Sequence, residues 1–269
     1  MQPPAPPAGG QATGGSPARA PGLRLFWQPG CSSCVKVKEM LAELGVPFTS
    51  VNILEHDDAM AVLQAHGARS VPVLIRDNEM MFAQSLEDVA AFVGRDRRNR
   101  RLAPDQLMTR WQYFLNTGLT LIEQIPADKL AVHPVPGRER TVCSLAYHIY
   151  QVPEGFLSVV DGHALDSRLI DNAVYAHLQT REQILDYARA VVASLQAWWE
   201  VSADKTGLRQ FNTYYGVQPL HQLLDRGTWH SAQHTRQLNA VLDAFGIVVR
   251  GAIDPTAYGG LPMPKGIWE

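Results

Sequence analysis

From residue 23 onward the chain runs through two hydrophobic rhythms. Leu23–Trp27 and Pro47–Leu54 are short apolar-rich runs bounded by turn residues, a pattern that predicts strands. Between them Val37, Met40, Leu41 and Leu44 recur at helical spacing, and Gly45 ends that helix. A second helix over about Asp57–His66 leads into Val71–Ile75, a short apolar strand with which Met80–Ala83 can pair. Leu86, Val89, Ala90 and Val93 then outline a small amphipathic helix. The order βαβαββα, in roughly 70 residues, predicts a compact α/β unit.

Beyond Arg95–Arg101, a short basic run that reads as a solvated linker, the period lengthens and no strand is predicted. Leu107, Trp111, Phe114, Leu115, Ile122 and Ile125 trace one apolar stripe, ended by Pro126. Val142, Leu145, Ile149, Val152 and Phe156 trace a second, in which Pro153 removes one helical hydrogen bond just after His148. Thr180 and Gln183 form a capping box for a third helix, with a stripe from Ile184 to Trp198. Pro219 suits the first turn of a fourth, which carries Leu220, Leu223, Leu238, Val241 and Phe245 and stops at Gly246. Four long helices predict an all-α four-helix bundle. The expected organisation is a disordered tail over 1–22, an α/β domain over 23–94, a linker over 95–104, the bundle over 105–250 and an irregular tail over 251–269.

Composition narrows the picture. The 269 residues suggest two domains, and 46% apolar content is enough for sizeable cores. Lys plus Arg number 24 against 26 for Asp plus Glu, so the basic surplus of a nucleic-acid binder is missing. No apolar run is long enough to span a membrane. Residues 1–22 are mostly Pro, Ala, Gly, Gln and Ser, without the basic start and apolar core of a secretory signal. The expected location is therefore cytoplasmic. Three cysteines are too few for a disulfide scaffold.

Two of those cysteines carry the first chemical signal. Cys31-Ser32-Ser33-Cys34 follows the first strand and opens the first helix. Three cysteines scattered at random in this length would give this spacing only roughly 0.03 times. At a helix N-terminus, unpaired N–H groups and the helix dipole stabilise a Cys31 thiolate. Cys34, one turn on, is placed to resolve a mixed disulfide on Cys31. Half a zinc site or two ordinary thiols are the alternatives; Cys143 stands alone.

With Phe26 and Trp27 in the first strand, this Cys-x-x-Cys, and Ser70-Val71-Pro72 before the third strand, Leu25–Val93 resembles the glutaredoxins of the thioredoxin fold. The resemblance implies that Cys31 is the nucleophile and Cys34 the resolving thiol. It also implies a cis Pro72 facing them, and a Val71 backbone that pairs with the cysteinyl part of glutathione. The chain departs from the family in its Ser32-Ser33 dipeptide and in lacking the Gly-Gly turn near the γ-glutamyl site. Ser85 and Asp88 are the groups left to bind that end.

The second signal is His230 and His234, four apart on the fourth helix and turned inward by the stripe from Leu220 to Val241. His148, beside the second stripe, could add a third nitrogen. Buried imidazoles need partners, so the residues alone leave two readings: a metal with an open coordination position, or hydrogen-bonded core histidines. Segments Ser144–Ile149 and Trp229–Leu238 resemble the DinB superfamily of four-helix bundles. That resemblance implies a divalent metal, zinc or nickel, on His148, His230 and His234. It also implies relatives that are transferases or isomerases using a low-molecular-weight thiol, and pairing through helix faces into a homodimer. Tyr147, Tyr214, Tyr215 and Trp229 are candidate pocket residues beside a core role, and Arg236 a candidate partner for a thiol carboxylate or a surface charge.

Together these readings predict a thiol-disulfide oxidoreductase joined to a metal-dependent transferase or isomerase. The expected partners are a small-molecule thiol, with glutathione first, and an electrophilic substrate, with neither nucleic acid nor membrane. The alternative is a redox or metal sensor, or a protein-disulfide reductase whose bundle is a docking or regulatory module.

Overall fold

The computed structural model describes residues 22–96, 102–135, 138–163 and 172–268. The expected 1–22 tail therefore lies, but for its last residue, outside the described residues, as does most of the basic linker.

The first part contains β1 (Arg24–Trp27), α1 (Ser32–Glu43), β2 (Thr49–Asn52), α2 (Ala59–Ala65), β3 (Val73–Arg76), β4 (Glu79–Phe82) and α3 (Leu86–Phe92). The sheet order is β2-β1-β3-β4, with β1 parallel to β2 and the other pairs antiparallel. Phe26 aligns with Val51 on one side and Val73 on the other, so the β-branched runs meet at the sheet centre. This is the α/β arrangement expected from the pattern, in the thioredoxin-like form that the glutaredoxin resemblance implies. Leu25, Val37, Leu41, Leu74 and Val89 fill one face, and Phe26, Cys34, Leu63, Val73 and Ile75 the other.

The second part is built on α4 (Pro104–Ile122), α5 (Val142–Val160), α6 (Arg181–Val201) and α7 (Leu220–Ala244). Helix α5 runs on through Pro153, and the Thr180–Gln183 capping box opens α6. The most extensive helix packing is between α4 and α7. A Cβ on Gly227 would stand 2.4 Å from Cη2 of Trp111, so only glycine lets the indole lie against the α7 backbone.

Two expectations are corrected. A hairpin, β5 (Gln210–Thr213) and β6 (Gly216–Pro219), follows α6 where no strand was predicted. It carries little apolar alternation and is held by tertiary contacts: Phe211 is buried, and Tyr214 at the turn packs edge-on against Phe82. Pro219 is accordingly the residue before α7 rather than in its first turn. The C-terminal segment holds a 3₁₀ turn at Pro255–Tyr258, is otherwise irregular, and is firmly seated. Arg236 donates to the carbonyls of Pro264 and Lys265, Gln233 to those of Gly266 and Ile267, and Gln237 to that of Ile267. On the other side Glu39 accepts from the N–H groups of Lys265 and Gly266, and Trp268 O accepts from Gly30 N. The segment thus straps α1 to α7, and Arg236 serves that strap instead of facing a ligand.

Candidate functional site

The N-terminus of α1 and the middle of α7 meet at one point. Cys31 is the N-cap of α1, its Sγ accepting from the N–H of Cys34, and the two cysteines are disulfide-bonded. Cys34 is fully buried, while Cys31 is partly accessible. The Val71–Pro72 bond is cis, and the Val71 carbonyl lies 4.0 Å from Cys31 Sγ.

Across the seam stand His148 of α5 with His230 and His234 of α7. They are 6%, 7% and 1% exposed, and one ring nitrogen from each falls within 4.8 Å of the others. Helix α7 is unusual in burying Thr228, Ser231, Gln233, Thr235 and Gln237 beside these histidines. Buried polar groups are costly unless bonded, and most of these have partners: Ser231 Oγ accepts from Trp111 Nε1, and the threonine hydroxyls donate to carbonyls one turn back.

The rings are oriented by two glutamines. Gln151 Oε1 pairs with Nδ1 of His148, and Gln237 Oε1 with Nδ1 of His234 at 2.7 Å. Because Gln237 Nε2 donates to Ile267 O, its Oε1 must face the ring, and Nδ1 of His234 is the protonated nitrogen. That leaves Nε2 of His234 as an acceptor, 3.4 Å from the Ser32 hydroxyl. Nδ1 of His230 is buried with no partner. Burial first, then nearby arginines and, for His148 and His230, the neighbouring His234, hold all three imidazoles well below the usual histidine pKa, so they are neutral at pH 7. Neutral, converging imidazoles with an orphaned nitrogen at His230 and a glutamine-fixed tautomer at His234 fit a divalent metal.

Both constellations open onto one cavity of about 780 Å³. Its wall includes Cys31, Ser32 and Val71 from the first part and the three histidines, Tyr214 and Tyr215 from the second. Arg69, Arg138, Arg140 and Arg226 also line it, against Glu139 as the one carboxylate among the described lining residues. Burial pushes Arg140 down to about 9, with Arg138 adding to the effect, but at neutral pH the guanidinium keeps its charge.

Other expected residues lie elsewhere. Ser85 is the N-cap of α3, accepting from Asp88 N and donating to Gln222 of α7 at 2.9 Å. Asp88 accepts from Gln218 at 2.7 Å, and neither residue lines the cavity. Tyr147 stacks on Tyr175, and Trp229 is a core residue. Cys143 is buried, its thiol donating to Leu178 O, and burial raises its pKa. Sequence reasoning missed Ser32, Gln151, Gln237, Arg138, Arg140 and Arg226. One signal was present: His148-x-x-Gln151 and His234-x-x-Gln237 share a spacing that sets each glutamine one turn from its histidine.

Comparison with protein families matches residues 23–81 to Glutaredoxin and residues 106–238 to the DinB superfamily. No curated protein matches the chain.

Proposed function

We propose that this chain, a glutaredoxin domain joined to a DinB-superfamily bundle, carries out metal-dependent thiol chemistry and thiol-disulfide exchange in the single cavity between its parts. The observation that supports this reading is the shared wall: the cysteine pair and the three histidines face the same space, and Ser32 touches His234.

His148, His230 and His234 would hold zinc or nickel, leaving a coordination position for a thiol, most simply glutathione. Bound there, a divalent ion lowers the pKa of a thiol and favours its attack on an electrophile by transfer or isomerisation. The protein's own groups prepare that site. Gln151 and Gln237 hold the Nδ1 side of two rings, and the aromatic and aliphatic wall around Phe156 and Val159 limits water.

The cysteine pair supplies the redox half. In the reduced form a Cys31 thiolate at the start of α1 attacks a disulfide substrate, releasing one thiolate and forming a mixed disulfide. Cys34 attacks the Cys31 sulfur and expels the second thiolate, so the substrate gains two electrons and the pair becomes the Cys31–Cys34 disulfide. Two equivalents of a small thiol restore the dithiol and leave as its disulfide. Because the bundle covers the mouth of the cysteine pair, a small-molecule substrate suits the site better than a protein disulfide.

The test is thiol-dependent turnover of a haloaromatic electrophile by the full chain with zinc or nickel. Chelation or His230→Ala should abolish it, while Cys31→Ser should abolish only disulfide reduction. Unchanged electrophile turnover after chelation would overturn the metal reading.

A further inference from the structure

The cavity's charge points to what enters it. Three neutral imidazoles bring no negative charge to a bound dication, and four arginines face the same space against one exposed carboxylate. Two arginines are poorly satisfied. Arg140 has no hydrogen-bond or ion-pair partner among the described residues. Arg226 donates through one terminal nitrogen to Gln84, but its Nε is buried and unpaired. An unmatched guanidinium in a cavity wall is costly, and its planar fork fits a carboxylate through two parallel bonds.

The position that the glutaredoxin resemblance assigns to the γ-glutamyl end of the ligand, which carries a carboxylate beside its ammonium, is already used. The bundle's Gln222 and Gln218 occupy Ser85 and Asp88, and both side chains lie off the cavity. We infer that carboxylate recognition in this chain has moved from the redox domain to the bundle: Arg140 and Arg226 bind the carboxylates of a small anionic ligand that spans the space between Cys31 and the histidines. Gln84, bonded to both the Val71 carbonyl and Arg226, ties this subsite to the redox domain. This inference rests on the proposed cavity reading, but it requires neither metal nor turnover.

The two sources of such carboxylates are the thiol and the electrophile. The test is calorimetric titration of the chelator-treated full chain, at fixed ionic strength, with S-methylglutathione, succinate and the neutral dimethyl succinate. Tighter binding of S-methylglutathione assigns the carboxylates to the thiol, and of succinate to the electrophile. The ester should not bind. Arg140→Gln and Arg226→Gln should each weaken the better ligand at least tenfold, Arg140→Lys less, and Ser85→Ala and Asp88→Asn within twofold of the parent. No binding of either anion, equal binding of the ester, or loss in the Ser85 and Asp88 variants instead of the arginine variants would overturn the inference. Loss of electrophile turnover on chelation with anion binding intact would leave it standing, which separates it from the metal reading.

Discussion

Ser32 Oγ, between the two disulfide-bonded cysteines, lies 3.4 Å from Nε2 of His234, a nitrogen of the histidine triad. The His234 lone pair that would bind a metal is thus the one that accepts the serine hydroxyl. Removing that competitor, in Ser32→Ala, should raise zinc affinity. A single long hydrogen bond is worth about 0.5–1 kcal/mol, so the expected gain is about two- to fivefold. Competition with a chromophoric zinc chelator measures it; unchanged or weaker affinity would count against the competition.

Gln151→Leu and Gln237→Leu remove the acceptors that hold Nδ1 of His148 and His234. Each should lower zinc affinity by about 10–100-fold, the usual cost of losing such a support. His221, which bonds Leu102 O and is not among the residues lining the cavity, is the control: His221→Gln should bind zinc like the parent.

The triad also predicts an acid limit for the metal-free protein. Burial holds the folded pKa of all three histidines below the ordinary value of about 6.5. The unfolded chain therefore binds protons that the folded chain refuses, and stability falls as pH drops below about 6.5. Each histidine contributes a slope of at most about 1.4 kcal/mol per pH unit. Urea unfolding between pH 7.5 and 5 should show this decline, and His230→Gln should reduce its slope by about a third. A flat profile would mean the rings are protonated in place.

Much of this architecture was legible in the sequence because it rests on repeated local signals. The α/β order follows from short apolar runs, the bundle from four stripes, and both motifs from spacings that place their side chains on one helix turn. What escaped depends on contacts between distant segments. The hairpin at Gln210–Pro219 has weak alternation and is stabilised by Phe82 and Asp88 from the other domain. Ser85 and Asp88 looked available because nothing local reveals that Gln222 and Gln218 meet them. Arg140, in an irregular stretch before α5, belongs to no periodic pattern, so its place on the cavity wall emerges only when the two domains are set together.

Gly227→Ala tests the packing that positions α7. The new Cβ would stand 2.4 Å from the Trp111 ring, whose Nε1 is bonded to Ser231. The indole is fully buried and cannot swing aside, so either it or the helix must shift. Overpacking of this kind costs about 1–3 kcal/mol, readable in urea denaturation. Gly45→Ala, where a Cβ meets nothing within 4 Å but φ is +65°, should be destabilising through backbone strain alone and by about 1 kcal/mol.

The C-terminal strap links the two constellations. Ile267 O holds Gln237 Nε2, which turns Gln237 Oε1 to His234, whose Nε2 meets Ser32. The same segment accepts from Arg236 and Gln233 on α7 and donates to Glu39 on α1. Deleting residues 264–269 would free Gln237 to rotate its amide and would remove a direct tie between the domains. The expected result is zinc affinity lowered about tenfold, with the melting temperature falling by about 2–4 °C for each kcal/mol lost. The two effects separate in a comparison with Gln237→Leu, which breaks the tautomer support but leaves Arg236 and Glu39 bonded to the strap. If the deletion weakens zinc no more after Gln237→Leu is already present, the strap acts on the metal site through that glutamine. An additional loss in the double variant would mean that the strap also sets how the domains close on the cavity.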